Sequence, residues 1–207
     1  MDNEFSFGDN YFSFSEATKQ ENEETSEFKI LIDTKVLKKQ DILNIYKRID
    51  VLKDLKILPK KNEQIRIVTH KNFSSIDFII MISKIEKITE LNLAIYRINL
   101  KSLFTLIELH KKIKFKMNIV VSNFFRASKR KEVWHTELKY YAEKTKDVTS
   151  FHCDTHAKIS LVKTEKNYYV IEGSGNMSSN SRIEQYLFEN SKETFDFHSK
   201  WIKELSF

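Results

Sequence analysis

The sequence predicts an α/β fold, a mixed β-sheet flanked by helices on both faces. Two patterns carry this expectation. Up to Ser122, strand-length apolar segments alternate with longer segments of helical spacing, and such connections are crossovers between parallel strands. After Val148, four apolar-rich segments follow one another at gaps short enough for antiparallel hairpins. A hydrophobic fraction of 41% with 31% charged residues fits a globular chain, and 207 residues suffice for one α/β domain.

The elements run in order. Phe28–Ile32 is a strand and Asp41–Leu55 a helix. Gln64–Thr69 is a strand, Ser74–Ile88 a helix, Leu91–Ile98 a strand, Leu100–Ile113 a helix and Lys116–Ser122 a strand. Lys129–Lys146 places Val133, Leu138, Tyr141 and Ala142 at helical spacing and is an amphipathic helix. Strands follow at Val148–Cys153, Ala157–Lys163, Tyr168–Glu172 and Ile183–Phe188, and Lys192–Leu205 closes the chain as a helix. With three glycines and one proline, the turns rely on Asn, Asp and Ser.

Two parts are expected, a flexible segment 1–27 and a domain 28–207. Residues 15–26 have no large apolar side chain to bury, whereas Phe5, Phe7, Phe12 and Phe14 could dock on a protein partner. Charge divides at the same place. Eight acidic residues against Lys19 give residues 1–27 a net −7, leaving +13 on the rest of a chain whose total is +6. A body this basic suits a polyanion, since neutralising phosphates releases counterions, and a lysine-rich solvated surface gives the same composition. The cluster Arg126, Lys129, Arg130 and Lys131, flanked by Phe124, Phe125 and Trp134, is the candidate nucleic-acid contact. Those aromatic rings equally suit anchoring of the amphipathic helix.

No apolar run is long enough to cross a bilayer. The N-terminus lacks the basic start and apolar stretch of a secretory signal, so a cytoplasmic location is expected. The lone Cys153 excludes an internal disulfide.

Candidate chemistry lies between residues 156 and 184. His156 and Lys158, two apart on an expected strand, project from one face. Imidazole can attack phosphorus or deliver a proton, and an ammonium holds non-bridging oxygens. Gly173-Ser174-Gly175-Asn176 follows a strand directly; its glycines let backbone approach a ligand, and Ser174 and Asn176 add short donors. Glu184 can orient His156 by bonding one ring nitrogen.

Together, His156-Ala-Lys158, Glu172-Gly-Ser-Gly-Asn176 and Asn180-Ser-Arg-Ile-Glu184-Gln185 resemble the HKD motif of the phospholipase D superfamily, over about thirty residues. The resemblance implies a phospholipase D-like half-unit. Members commonly carry two such motifs, and this chain has one; Thr69-His70-Lys71-Asn72 lacks the spacing of a second. A homodimer in which each subunit contributes one motif is therefore implied, acting as a metal-independent phosphodiesterase or nuclease through a phosphohistidine, with no cofactor. In that scheme His156 attacks phosphorus, His156 of the other subunit protonates the leaving oxygen, and Lys158, Ser174 and Asn176 stabilise phosphoryl charge.

The sequence departs from the family at Lys163, where an aspartate is common, and in a slightly longer gap before Gly173. Lys163 favours a second reading, a catalytically weak or inactive module that binds nucleic acid or protein. Lipid head-group chemistry is a third. His152-Cys153-Asp154-Thr155-His156 superficially resembles a metal site, but neighbouring strand residues face opposite ways and no metal is expected.

Overall fold

A computed structural model describes residues 43–49 as backbone, and 58–70, 73–124, 133–178 and 182–205, all within one unit, Lys39–Phe207. The expected strand Phe28–Ile32 and the segment 1–27 lie outside the described residues.

The elements are β1 (Leu43–Ile49), β2 (Glu63–His70), α1 (Ser75–Ile85), β3 (Ile88–Ile95), α2 (Leu100–Ile113) and β4 (Lys116–Ser122). They continue with α3 (Val133–Lys144), β5 (Val148–Cys153), β6 (Lys158–Thr164), β7 (Tyr168–Gly173), β8 (Ile183–Asn190) and α4 (Lys192–Glu204). The expected helix Asp41–Leu55 is corrected, because Leu43–Ile49 is a strand paired parallel with β2. Ile42, Ile45, Ile49 and Leu52 have helical spacing while Leu43, Ile45 and Ile49 also alternate, so the segment satisfies both periods. The free edge of β2 decides between them.

One eight-stranded sheet runs β1-β2-β8-β7-β6-β3-β4-β5. β1 pairs β2, β3 pairs β4 and β4 pairs β5 in parallel, while β2–β8, β3–β6, β6–β7 and β7–β8 are antiparallel. Followed through the ladders, β1 to β5 and β7 point one way and β6 and β8 the other. The carboxyl ends of β3, β4 and β7 thus share one edge with the starts of β6 and β8.

Two sequence expectations about pairing change. β5 and β6 are not a hairpin, since β4 and β3 lie between them. β2 and β3 do not pair either, because the β6–β7–β8 meander is inserted between them. A gap length limits how far a chain can travel and does not choose its neighbour.

Alternation along the strands sends side chains to two cores. Leu91, Leu93 and Ile95 of β3 and Met117, Ile119 and Val121 of β4 join the larger core with α1, α2 and α3, where Phe78, Ile82, Leu106, Trp134 and Leu138 are buried. Ala94, Val120, Leu161 and Val170 form the smaller core under Phe195 and Ile202 of α4. Helices therefore cover both faces. Two of them start on side-chain caps: Asn99 accepts from Ser102 N at 2.8 Å, and Ser191 from Thr194 N at 3.2 Å.

Buried polar groups tie elements together. Glu86, just after α1, accepts from Tyr169 Oη at 2.9 Å, Asn167 Nδ2 at 2.8 Å and Thr164 Oγ1 at 2.6 Å, locking the helix end to the β6–β7 turn. Burial, then the Glu86 carboxylate, holds the Tyr169 phenol well above its ordinary pKa. Tyr169→Phe removes a bond to a charged acceptor and is expected to cost about 1.5–3 kcal/mol in denaturant unfolding.

His110 of α2 lies 2.8 Å by Nε2 from the Phe115 carbonyl and 2.8 Å by Nδ1 from Tyr141 Oη. The carbonyl can only accept, so Nε2 carries the proton. Burial lowers the His110 pKa. The unfolded chain therefore takes up this proton first as pH falls, and the contribution present above the ordinary histidine value is lost progressively below it. Urea unfolding between neutral pH and pH about 5 should show a falling stability that is flatter in His110→Asn.

Candidate active site

Five elements meet at the shared edge of the sheet. Lys158 opens β6 opposite Ile95 of β3, so its side chain lies on the α1–α3 face. Glu184 of β8 lies opposite Thr69 and shares that face, as does Gly173, opposite Tyr186. His156 is not in a strand as the sequence suggested. It occupies the four-residue link 154–157 between β5 and β6.

That link must cross the ends of β4 and β3, three inter-strand spacings or about 14 Å. The five Cα steps from Cys153 to Lys158 reach about 17 Å when extended. Little slack remains, and Thr155 Oγ1 further fixes the link by accepting from Ala157 N at 3.1 Å. His156 is thereby laid across the end of β3, where its ring meets Tyr96 at a centroid distance of 4.3 Å.

His156 and Lys158 do come together. Lys158 Nζ is 3.2 Å from His156 Nδ1 and 3.0 Å from the His156 carbonyl. An ammonium only donates, so Nδ1 accepts and the neutral ring's proton sits on Nε2. Partial burial lowers the Lys158 pKa, against the raising effect of the Glu184 carboxylate. Lys158 thus touches the imidazole within the field of the Glu184 carboxylate.

Glu184 takes its hydrogen bond from Ser174 Oγ, which also accepts from Gln185 N at 3.1 Å. Ser174 N donates to the Gln185 carbonyl at 3.0 Å. Glu184, expected to orient His156, accepts from the serine and acts on Lys158 through charge. The loop is pinned at its far end too, since Met177 bridges Ile98 and its N–H donates to the Arg97 carbonyl at 3.1 Å. Asn176 Oδ1 is buried within this pinned loop and has no hydrogen-bond partner among the described residues.

The glycines have a reason that the sequence did not show. A Cβ on Gly173 would collide with the Gln185 carbonyl and the Tyr186 ring, and one on Gly175 with the Tyr186 hydroxyl. Neither glycine has positive φ. Their bare side faces Tyr186, which is 4% exposed and whose hydroxyl has no hydrogen-bond partner among the described residues.

Other candidates separate. Arg126, Lys129, Arg130, Lys131 and Phe125 lie outside the described residues. Trp134 is 2% exposed, a core residue stacked on His135, so its anchoring role holds and the base-stacking alternative falls. His152 turns to His135, Nε2 to Nδ1 at 3.0 Å, and Cys153 packs on the α4 side. Among the described residues, no three His, Cys, Asp or Glu side chains are grouped as metal ligands would be. Lys163 lies 5.6 Å from the Tyr168 ring, and its charge helps lower the pKa of Glu90 against the larger, opposing effect of burial. Tyr96 was missed, because sequence placed it within a strand; only the crossing link reveals it beside His156.

No protein-family model and no curated protein matches the sequence. The structure, however, is similar to that of Nuc from Salmonella typhimurium, a phospholipase D family member, with a TM-score of 0.50 and 15% identity over 69% of this chain and 94% of that one. The chain has the phospholipase D fold. NucT from Helicobacter pylori is also similar, with a TM-score of 0.49 and 16% identity over 69% of this chain and 96% of that one. Polyphosphate kinase from Porphyromonas gingivalis gives 0.49 and 12% over 63% of this chain and 23% of its own. Within this phospholipase D fold, among the described residues no helix is long and apolar enough to span a membrane.

The Tyr186 packing gives a stability test. Gly175→Ala is expected to cost about 1–3 kcal/mol in denaturant unfolding. Tyr186→Phe should be near neutral alone and should reduce, without abolishing, the Gly175→Ala penalty, because the hydroxyl is the nearest atom struck and the ring carbon Cζ the next. Additive effects in the double mutant would rule out this contact.

Proposed function

We propose that this chain is a phosphodiesterase, acting on nucleic acid through His156 and Lys158, with the site completed by a second copy. The observation that carries the reading is the Lys158–His156 contact at 3.2 Å, on the sheet edge that also presents Ser174 and Glu184. The +13 charge of residues 28–207 supports a polyanionic substrate.

The tautomer suggests how the roles divide. With Nδ1 accepting from Lys158, Nε2 carries the outward-facing proton; once Nδ1 is protonated as well, the imidazolium gives its Nε2 proton to the leaving oxygen and becomes neutral. In the other copy, Lys158 turns to the phosphate oxygens, the proton moves to Nδ1, and Nε2 attacks phosphorus. The bond from phosphorus to the leaving oxygen breaks as that oxygen takes its proton. Water then attacks the phosphohistidine and gives a proton to the histidine that served as acid; the P–N bond breaks, releasing a phosphomonoester and returning both rings to their starting forms. Lys158 and the Asn176 side-chain N–H hold the developing negative charge, and Ser174 joins them by turning its hydroxyl from Glu184. Two-fold assembly supplies both histidines from one motif.

Lys163 motivates the second reading, a non-catalytic module. However, it stands five residues along β6 from Lys158, about 17 Å away, so its charge does not meet the pair.

In a chelator-containing assay on DNA, RNA and a simple phosphodiester, His156→Ala is expected to lower turnover at least about 100-fold while nucleic-acid binding persists. Turnover equal to wild type would overturn the mechanism, and a wild type that binds without turnover would favour the module. Sedimentation should give twice the 24.7 kDa of one chain.

A further inference from the structure

Phe124, just after β4, is 61% exposed. A lone exposed ring needs no explanation. This one is continuous with the phosphodiester site: its centroid is 5.9 Å from that of Tyr96, with the planes 35° apart. Tyr96 in turn meets the His156 ring at 4.3 Å and has Lys158 Nζ 5.3 Å from its centroid. Two neighbouring aromatic faces therefore adjoin the imidazole and ammonium at the end of the sheet.

We propose that Phe124 and Tyr96 form a stacking platform for an unpaired nucleobase, making single-stranded nucleic acid the substrate class. This rests on the phosphodiester reading of His156 and Lys158. A phosphate held by Lys158 leaves its sugar and adjoining base at the aromatic pair, whose faces accept any base. Bases inside a duplex are stacked and paired, and reaching Phe124 would first require unpairing. The platform thus selects strand form without selecting sequence. Tyr96 also packs against the His156 ring, so base binding and imidazole placement share one ring.

The test uses full-length protein at one fixed salt concentration. Binding of a short fluorescent oligonucleotide is measured in the His156→Ala background, as single strand, as duplex and as a single strand with abasic sites. Phe124→Ala should weaken single-strand binding about 5- to 100-fold, and Phe124→Trp should restore it. Abasic sites should weaken binding to the protein with Phe124 intact and change little in Phe124→Ala. Turnover of a nitrophenyl methyl phosphodiester, which carries no base, is measured alongside in wild type and His156→Ala.

Single-strand binding within about twofold after Phe124→Ala overturns the platform. If His156-dependent turnover persists in that case, the phosphodiesterase reading stands alone. If no phosphodiester is turned over but single-strand binding depends on Phe124, the platform stands and the catalytic reading falls. Phe124-dependent binding to phosphatidylserine vesicles without single-strand binding would assign the aromatic pair to a lipid surface and overturn the proposal.

Discussion

The four residues between β5 and β6 have to carry the chain over the ends of two other strands, and the candidate site depends on that crossing. A longer link would leave His156 free to swing in solvent. A hairpin would put it at the edge of the sheet, away from β7 and β8. Stretched across β3, the link sets the imidazole on Tyr96 and beside Lys158, whose position is fixed by its pairing opposite Ile95. The geometry of the pair is thus set by chain reach more than by any bond of its own.

The second half of the site is built by an inward constraint. Tyr186 fills the space beneath the loop after β7, and only residues without Cβ fit above it at 173 and 175. Ser174 and Asn176 alternate with those glycines. Ser174 is then held by Glu184 and the backbone of Gln185, and the Met177–Ile98 bridge ties the loop to the end of β3. Both halves are consequently referred to the same strand.

Alternation along β7 separates the site from its support. Gly173 belongs to the α1–α3 side, while Glu172 faces α4 and pairs with His198 Nε2 at 2.8 Å. Trp201 Nε1 donates to His198 Nδ1 at 3.0 Å, so the His198 proton is on Nε2 and directed to Glu172. Further along the same face, Glu90 meets Lys203 at 2.8 Å and Asn92 Nδ2 at 3.0 Å. These groups join α4 to the sheet.

Local pattern determined most of the elements. Leu100–Ile113, Lys116–Ser122 and Val148–Cys153 form the elements their periodicity predicts, and the residues between 156 and 184 carried the resemblance whose fold the structure has. Leu43–Ile49 escaped because its apolar residues fit two periods and a paired neighbour chose one. The order of the strands, the place of His156 in a crossing link, the bond of Glu184 to Ser174, the burial of Trp134 and the nearness of Tyr96 were decided only in three dimensions. Periodicity records which side of an element is apolar, and short spacing bounds the reach of a link. Neither records which distant strand fills the space between, and here that choice brings the site together.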